Sequence, residues 1–595
     1  MQVDVSRSPF RRIEHEADLC VVGGGMAGIC AALAASRRGA KVVLMHERPV
    51  FGGNASSEIG VRICGADRNA AIPHMRETGI LEELRLANLY RNPHGNIFLW
   101  DLVLFEAVRF APDLVSLLNC SCVDAETDGA RIVSVTGWQQ TTQTWHTVKA
   151  KIFADCSGDS ILAPLTGAAH RMGRESRDEF GESIAPEKAD GKTMGMSCGW
   201  FGRDTGEPRE FKPLPWAQQF SSCDDFPWGA QNHKYLVYTP WWNELGGEGH
   251  SIHDTEELRD ELLKNSLGLW AHIKNDCVHS EAARNWDLYK VQFLPGKRES
   301  RRYEGAHILT QNDIEAEGRF HDTVAYGGWT MDDHHPAGFE SFAKYGKPPT
   351  VHHPAPSPYG IPYRCLYSRN IENLMFAGRN ASCSHAAMSS TRVIGTACSM
   401  GQALGTAAAL AVDRGCDPAG VNAYIGELQQ MLLVDDAYLP RVRQEISEQC
   451  ARARLEASHG NPEPARDGVN RQAGDDTHCW LAHPGDTLTY RFDTPARVAE
   501  VMLVLDTAME TSITFEGPEL AKPLPDVMPK RFRVEIETAD GWETAGRVDD
   551  NHNRAVFVPV HRETAAVRFV LEETRGGGES RVYAFVLNPL HRRGN

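Results

Sequence analysis

The sequence lacks features that would assign it to several common classes of protein. It carries 62 basic against 79 acidic residues, a formal charge of −17, which argues against nucleic acid or an anionic membrane as a main partner. The segment 1–18 contains no apolar core, so no signal peptide is expected. The segment 393–412 comes nearest to a membrane span, but its Gly, Ser, Thr and Gln content favours a buried helix. We therefore expect neither nucleic acid nor a membrane as partner.

The cysteines show no pairing pattern. Their number, 15, is odd. No two form a C-x-x-C pair, and several, such as Cys20, Cys30 and Cys398, lie in apolar runs. Reduced thiols in a cytoplasmic protein fit this pattern best.

The stretch 18–54 has the pattern of a strand, a glycine turn, a helix and a parallel strand. An apolar run at 19–22 precedes GGGMAG, which satisfies G-x-G-x-x-G, and an alanine-rich segment and a second apolar run at 42–45 follow. The glycines permit a tight turn, a backbone approach to a pyrophosphate and close packing of helix on strand, while the helix N-terminus attracts phosphate. Glu47 lies at the distance expected for a carboxylate that binds a ribose diol. The stretch therefore predicts dinucleotide binding.

A second glycine-rich segment lies near the other end of the main domain. The run 373–377 is a predicted strand that ends in Gly378 and Arg379. A helix is predicted to start near Arg392, with three candidate N-cap residues before it: Ser389, Ser390 and Thr391. The glycines and alanines of this helix would give it a thin face for close packing.

The remaining pattern divides the chain of 595 residues into three regions. Apolar alternation at 115–123, 131–138 and 144–154 predicts a small β-meander, and 171–192 is interpreted as a surface loop. Short alternating runs separated by turn residues, beginning beyond a change of composition near residue 450, are typical of a β-sandwich. We predict a discontinuous nucleotide-binding domain, a substrate domain and a β-sandwich, with these boundaries: 1–170 with 371–445, 171–370, and 455–595.

Several motifs together resemble one protein family. GGGMAG, ADCSGD, PGKRESRRYEGAHILTQNDI, YGGWTMDDHHP and NLMFAGRNASCSHAAMSSTRVIGTACSMGQALG are similar to the bacterial FAD-dependent oxidoreductases with the glutathione-reductase-like FAD fold, over about residues 18–440. FRVEIETADGW and VDDNHNRAVFVPV resemble a discoidin-like, galactose-binding jelly roll. The resemblance implies an α/β fold with a Rossmann-like FAD-binding domain, an α+β substrate domain and a C-terminal all-β sandwich.

The resemblance also implies FAD as cofactor and names its contacts. The glycines of the first turn would face the pyrophosphate, Glu47 the ribose, and Val123 the adenine through its backbone. The helix starting near Arg392 would point its N-terminus at the flavin pyrimidine edge, where it would stabilise reduced flavin. The full set of expected cofactor contacts is Gly23, Gly25, Met26, Ala27, Gly28, Glu47, Arg48, Gly53, Asn54, Ala55, Ser56, Val123, Ser157, Gly158, Asp159, Gly378, Arg379, Arg392 and Val393. A second G-x-G-x-x-G and a redox cysteine pair are absent, which disfavours a pyridine nucleotide–disulfide reductase.

The densest polar cluster of the middle region, at 326–335, is the candidate substrate site. We expect His335 to act as a general base that removes a hydroxyl proton while the carbon hydride goes to flavin N5. The expected substrate-binding residues are Trp329, Asp332, Asp333, His334 and Tyr363. The alternatives are a solvated loop or a structural Asp–His pair. No metal site is predicted, because adjacent ligands such as Asp332, His334 and His335 rarely converge on one ion.

Two further catalytic candidates lie outside this cluster. His385 precedes the flavin-facing helix and would reach the isoalloxazine; the alternative is a histidine that bonds a loop carbonyl. Arg298 would anchor substrate or, equally, belong to a structural set of ion pairs. A covalent flavin link through Cys64 or His74 is not favoured.

Three functions follow from these features. The first is dehydrogenation of a secondary alcohol on a sugar or glycoside. The second is flavin-dependent reduction of an activated double bond, with arginines supplying the proton. The third, from a different class, is a flavin-stabilised carbohydrate-binding or assembly protein. The electron acceptor and a homo-oligomeric assembly are left open at this stage.

Overall fold

The computed structural model describes residues 8–69, 71–229, 233, 236–509 and 523–592. Its first part carries six strands and four helices. The strands are β1 (Arg11–Val22), β2 (Val42–Met45), β3 (Leu114–Leu117), β4 (Cys120–Asp128), β5 (Arg131–Gln139) and β6 (Thr144–Asp155). The helices are α1 (Met26–Arg37), α2 (Ile80–Arg91), α3 (Ile97–Arg109) and α4 (Leu162–Thr166).

The middle part is built from short strands and helices that form small antiparallel pairs. The strands are β7 (His170–Arg171), β8 (Met196–Ser197), β9 (Trp200–Asp204), β10 (Trp286–Val291), β11 (Gly296–Lys297), β12 (Arg302–Tyr303), β13 (Thr323–Gly327), β14 (Met331–His334), β15 (Thr350–His353) and β16 (Tyr359–Pro362). The helices are α5 (Arg177–Phe180), α6 (Thr255–Asn275), α7 (Gln311–Glu315) and α8 (Ser341–Tyr345). The strands pair as β9 with β10, β8 with β11, β7 with β12, β13 with β16, and β14 with β15.

The chain then returns to the first sheet and continues into a C-terminal β region. The returning elements are β17 (Leu374–Phe376), α9 (His385–Thr391), α10 (Ile394–Arg414) and α11 (Ile425–Val434). The C-terminal elements are α12 (Glu448–Arg452), β18 (Arg454–Ala457), β19 (Trp480–Ala482), β20 (Thr487–Leu505), β21 (Pro529–Thr538), β22 (Gly541–Val548), β23 (Ala555–Thr574) and β24 (Ser580–Leu587). Short 3₁₀ helices lie at Gly53–Ala55, Pro73–Met75, Cys223–Asp225, Gly338–Glu340, Tyr363–Cys365, Pro418–Tyr424 and Glu463–Arg466.

The first sheet is Rossmann-like. Its order is β3-β2-β1-β6-β5-β4, with β17 paired to β6. Strands β3, β2, β1, β6 and β17 are parallel, whereas β5 and β4 form the predicted antiparallel meander. The meander differs from the prediction in one detail: the run 115–123 is split between β3 and β4 at Asn119, whose φ is +54°.

Helices α1 and α10 pack closely against each other beside this sheet. A Cβ on Gly401 would lie 2.2 Å from the carbonyl oxygen of Ala27, and one on Gly405 would lie 2.1 Å from that of Ala31. Only glycine fits at such an approach. The thin face predicted for α10 therefore fixes the distance between two buried helices.

The residues that precede helix α10 differ from the prediction. The N-cap candidates Ser389, Ser390 and Thr391 lie inside α9, which Ser384 caps by accepting a hydrogen bond from the backbone of Ala387. Helix α10 begins at Ile394 after a bend of 94°. Among the described residues no single helix is long and apolar enough to cross a membrane, although α9 and α10 together meet those criteria across this bend.

The C-terminal region is an antiparallel all-β domain built on two long strands. Strand β20 pairs with β23 in two stretches, and the register shifts between Arg491 and Ala496. The first half of β20 pairs with β18 and its second half with β24, while β21 pairs with the second half of β23. The irregularity lets the two halves of β20 pair with different neighbours. The rings of Tyr490 and Phe585 pack against each other, with centroids 5.0 Å apart.

Buried ion pairs join the C-terminal domain to the rest of the chain. Arg554, 4% exposed, contacts Asp436 and lies 4.0 Å from Glu82. Arg471 donates to the carbonyl oxygen of Arg76 at 3.0 Å. An apolar cluster adds to the same junction: Leu86, Leu89, Met509, Leu524 and Met528. The predicted fold class, α/β with an α+β middle part and an all-β C-terminal part, is confirmed, while the exact domain boundaries stay a prediction.

Candidate active site

A large cavity opens at the carboxyl ends of the parallel strands. Its volume is about 480 Å³, which is within the range of small-molecule sites. Four strand ends supply its floor, since the residues that follow β1, β2, β6 and β17 line it: Gly23, Gly25, His46, Glu47, Cys156, Ser157, Gly158, Ala377, Gly378 and Arg379. This edge of an open parallel sheet is where ligands bind in such folds.

The first glycine turn leaves a free helix N-terminus beside the cavity. Helix α1 starts after Gly25 with no side-chain cap and no acidic residue in its first turn. Gly23 has a φ of +106°, which glycine adopts without strain. A Cβ on Gly28 would lie 1.9 Å from the carbonyl oxygen of Gly23. The backbone donors of α1 are therefore available to an anion, and Gly28 shapes the turn from behind without lining the cavity.

Glu47 is ionised at the end of β2. A carboxylate oxygen lies 3.1 Å from His46 Nδ1, and the other lies 3.4 Å from Arg48 Nε. Desolvation raises the pKa of Glu47, but these neighbours outweigh it and lower that pKa to about 2. The carboxylate can therefore accept hydrogen bonds from a diol at neutral pH.

An ion-pair cluster supports the opposite wall of the cavity. Asp159 accepts hydrogen bonds from Lys297 at 2.8 Å and from Arg379 at 2.6 Å, and Ser300 donates to it at 2.8 Å. Burial raises the pKa of Asp159, but Arg379 and Lys297 outweigh it and hold that pKa well below its usual range. Arg379 and Lys297 line the cavity, whereas Asp159 lies behind them.

The donors around the cavity fit the cofactor that the sequence motifs imply. Within the described residues, the buried Nε atoms of Arg379 and Arg392 and the indole nitrogen of Trp329 have no hydrogen-bond partner. Helix α10 starts after Val393 with no side-chain cap and no acid in its first turn. Unpartnered donors and two uncapped helix N-termini suit the anionic pyrophosphate and the electron-rich flavin edge of FAD.

A polar cluster forms the end of the cavity that the middle part of the chain supplies. His334 Nδ1 lies 2.6 Å from Glu244 Oε2, and its Nε2 lies 3.2 Å from Asp332 Oδ2. Glu244 also pairs with Arg298 at 3.3 Å, and Asp332 with Arg392 at 3.3 Å. Burial lowers the pKa of His334, but the carboxylates of Glu244 and Asp332 outweigh it, so this pKa lies above its ordinary value.

Aromatic rings stand beside this cluster. Trp241, Trp329 and His352 line the cavity, and the ring centroid of Trp241 lies 5.7 Å from that of His334. The sequence did not single out Glu244, Trp241 or His352, because no motif marks them and His352 lies more than one hundred residues from the other two. Only the pairing of β14 with β15 and the loop before α6 bring them together.

Two of the three candidate catalytic residues do not line the cavity. His385 is buried between Glu299, at 2.9 Å, and Asp333, at 3.1 Å. Burial lowers the pKa of His385, but Glu299 and Asp333 outweigh it and raise that pKa to about 10. His335 packs on Tyr345, with ring centroids 5.2 Å apart. Arg298 does line the cavity.

The remaining predicted site residues divide in the same way. Those that line the cavity are Gly23, Gly25, Met26, Ala27, Glu47, Arg48, Gly53, Asn54, Ser157, Gly158, Gly378, Arg379, Arg392, Val393, Trp329, Asp332 and His334. Ala55 and Ser56 are buried directly behind this wall. Val123 is 37% exposed on β4. Tyr363 is fully buried and donates to the carbonyl oxygen of Pro418, so it packs in the core. Asp333 faces His385 rather than the cavity.

The parallel sheet, the glycine turn and the cavity define a dinucleotide-binding α/β protein. Residues 18–432 match the family described as FAD dependent oxidoreductase, and the chain belongs to this family. It is therefore an FAD-dependent enzyme, which sets aside the alternative of a purely binding protein.

Other similarities cover smaller parts or are distant. The alpha subunit of sarcosine oxidase from Corynebacterium sp. (strain U-96) is 42% identical over 67 residues, which span 11% of this chain and only 7% of that relative. The family 32 carbohydrate-binding module of EndoD from Streptococcus pneumoniae is 15% identical, with a TM-score of 0.17, over 23% of this chain and 94% of that one. A geranylgeranyl bacteriochlorophyll reductase-like protein from Thermoplasma acidophilum is 13% identical, with a TM-score of 0.29, over 70% and 82% of the two chains.

Proposed function

We propose that this enzyme oxidises a secondary alcohol of a sugar or glycoside. The observation that carries the proposal is His334, which is held between Glu244 and Asp332 on a cavity wall that also contains Trp241 and Trp329. A base, alternating donors and acceptors, and flat aromatic faces are what a polyhydroxylated ring requires. FAD, when bound, supplies the two-electron acceptor for the carbon-bound hydride.

The cofactor would be held by the cavity residues of the parallel sheet. The N-terminus of α1 and Arg379 would face the pyrophosphate, and Glu47 would accept from the adenosine ribose. The N-terminus of α10, next to Arg392, would face the flavin ring and favour its reduced, anionic form.

His334, rather than His335 or His385, is the proposed base. Glu244 would accept from Nδ1, and Nε2, which now lies 3.2 Å from Asp332 Oδ2, would take the proton of the substrate hydroxyl once the substrate replaces that contact. His385 is not proposed as the base, because it lies outside the cavity, between Glu299 and Asp333. We propose that His385 positions β14 through Asp333, and that Arg298 orients Glu244.

The experiment is a screen of sugars and glycosides for anaerobic bleaching of the flavin absorbance, followed by rapid kinetics on the best compound. His334→Ala should slow flavin reduction by about 10²-fold or more, the usual contribution of a general base. His335→Ala, the neighbouring histidine outside the cavity, is the matched control and should keep the rate. Full retention of rate by His334→Ala would discard the assignment.

Reduction of an activated double bond is the second candidate. Two arginines, Arg298 and Arg392, and a histidine of raised pKa surround the same space, a set that suits proton donation. The two functions differ in the sign of the pH dependence. A base must be neutral, so alcohol oxidation should accelerate as the pH rises through the His334 pKa, whereas proton donation should slow over the same range.

A further inference from the structure

A second cluster of ligand-type side chains lies in the middle part of the chain, apart from the cavity. It consists of Cys223, His233, His272 and Cys277, and one potential ligand atom from each lies within 4.8 Å of all the others. His233, His272 and Cys277 are buried, and Cys223 is half-buried. Two thiols and two imidazoles in a buried position form the Cys₂His₂ donor set of structural zinc sites.

The distances within the cluster match the edges of a tetrahedron around zinc. Zn–S bonds of about 2.3 Å and Zn–N bonds of about 2.0 Å place two sulfurs about 3.8 Å apart and a sulfur and a nitrogen about 3.5 Å apart. The two sulfurs, of Cys223 and Cys277, are 3.6 Å apart. Cys223 Sγ lies 3.4 Å from His272 Nε2, and Cys277 Sγ lies 3.2 Å from His233 Nε2. A disulfide would need about 2.05 Å between the sulfurs, and both cysteines are free.

Neighbouring groups hold the ligands in the orientation that a metal needs. His233 Nδ1 lies 2.9 Å from the carbonyl oxygen of Gly229, so Nδ1 carries the proton and the lone pair is on Nε2, the nitrogen that faces the cluster. The backbone N–H of His279 donates to Cys277 Sγ at 3.4 Å, a bond that stabilises a thiolate. His272 and Cys277 are fixed relative to each other because they flank the end of α6, where the Cys277 N–H donates to the His272 carbonyl at 2.9 Å.

We propose that these four residues bind one structural Zn²⁺ ion. All four positions are filled by protein ligands, which is the closed arrangement of structural rather than catalytic zinc. The ion would join the 3₁₀ turn at Cys223, His233 and the end of α6. Sequence analysis predicted no metal here, because the two cysteines are 54 residues apart and only His272 and Cys277 lie close together in the sequence.

The proposed zinc site would also support the substrate wall of the cavity. The ring of Phe226 lies 4.8 Å from that of His233, 5.2 Å from that of His272 and 6.2 Å from that of Trp242. Trp242 is fully buried. Its neighbour in the sequence, Trp241, lines the cavity. Zinc would therefore hold in place the segment that presents Trp241 and Glu244.

The test starts with the metal content of the full-length protein, purified under reducing conditions without a metal-affinity tag. Elemental analysis should find about one zinc per chain. Replacement by Co²⁺ should give the intense visible absorption of a tetrahedral site with thiolate ligands, measured in apoflavin protein so that FAD does not mask it. Cys277→Ser and His233→Ala should each lower the zinc content at least several-fold, while Cys416→Ser, a half-buried cysteine elsewhere, should leave it unchanged.

Two outcomes would overturn the proposal. One is wild-type protein with well under one-tenth of a zinc per chain that also fails to take up Co²⁺ in tetrahedral form. The other is a zinc content that Cys277→Ser and His233→Ala leave intact. Because the wild-type measurements stand alone, they decide the matter even if the variants fail to fold. Zinc content is independent of the substrate, so failure of the proposed alcohol oxidation would not affect this result.

Discussion

The charge of Glu244 controls the proposed base, and its removal should shift the pH dependence of flavin reduction. Glu244 is fully buried, and its carboxylate lies 2.6 Å from His334 Nδ1. It raises the pKa of His334 against the effect of burial. In Glu244→Gln the pKa of His334 should therefore fall, and the neutral base should be available at lower pH.

The magnitude follows from the strength of one charged hydrogen bond. Such a bond contributes about 1.5–3 kcal/mol, and about 1.36 kcal/mol corresponds to one pKa unit. The rising limb of the profile should thus move by about one to two pH units toward acid. The maximal rate should also fall, because an amide holds the imidazole less firmly than a carboxylate does.

The assay is anaerobic stopped-flow reduction of the flavin by the best sugar substrate, over a range of pH. Glu248→Gln is the matched control, because Glu248 is a nearby carboxylate of the same loop that contacts Tyr345 and Lys192 instead of His334. Its profile should superimpose on that of the wild type. An unchanged limb in Glu244→Gln, or a wild-type rate that falls as the pH rises, would refute the reasoning.

Two further predictions concern the cofactor turn and the C-terminal domain. Gly28→Ala places a Cβ 1.9 Å from the Gly23 carbonyl oxygen and should lower the FAD content, measured as the ratio of flavin to protein absorbance; Gly426→Ala, also in a helix but with no atom within 4 Å of the new Cβ, should instead stabilise by up to about 1 kcal/mol. Arg554→Ala leaves Asp436 buried without its paired cation, whereas Glu82 keeps Arg76, and the change should cost about 3–5 kcal/mol of unfolding free energy. The control is Arg547→Ala, at an ion pair whose arginine is 45% exposed, which should cost no more than about 1 kcal/mol. Both losses are measured by denaturant unfolding. Equal losses in the two arginine variants would contradict this prediction.

Local patterns were sufficient to predict the nucleotide-binding half of the site. The strand, turn, helix and acid of residues 18–54 are neighbours in sequence, and their geometry follows from glycine placement and apolar periodicity. The start of α10 was predicted to within two residues, but its cap was not: the three hydroxyl residues 389–391 lie inside α9, and α10 follows Val393 without a side-chain cap. The alternating runs at 488–492 and 498–505 belong to one strand, β20, whose pairing with β23 resumes after a register shift between Arg491 and Ala496.

The substrate half depended on contacts between distant segments. Glu244 and His334 are 90 residues apart, and no local pattern links them. The choice between His334 and His335 depends on which face of β14 turns to the cavity, and adjacent residues near a strand end point in opposite directions. A sequence can show that histidines are concentrated there without showing which one lines the site.

The junction between the C-terminal domain and the rest of the chain restricts how the two can be separated. Arg554 pairs across it with Asp436, and Arg471 donates across it to the hydroxyl of Tyr326 and the carbonyl oxygen of Arg76. Fragments cut near residue 450 would expose side chains that are buried at the junction, such as Asp436, Met509 and Met528. Isolated pieces should therefore aggregate rather than behave as independent modules. Grafting this β domain onto another enzyme would also require an acid on the recipient surface in the place of Asp436.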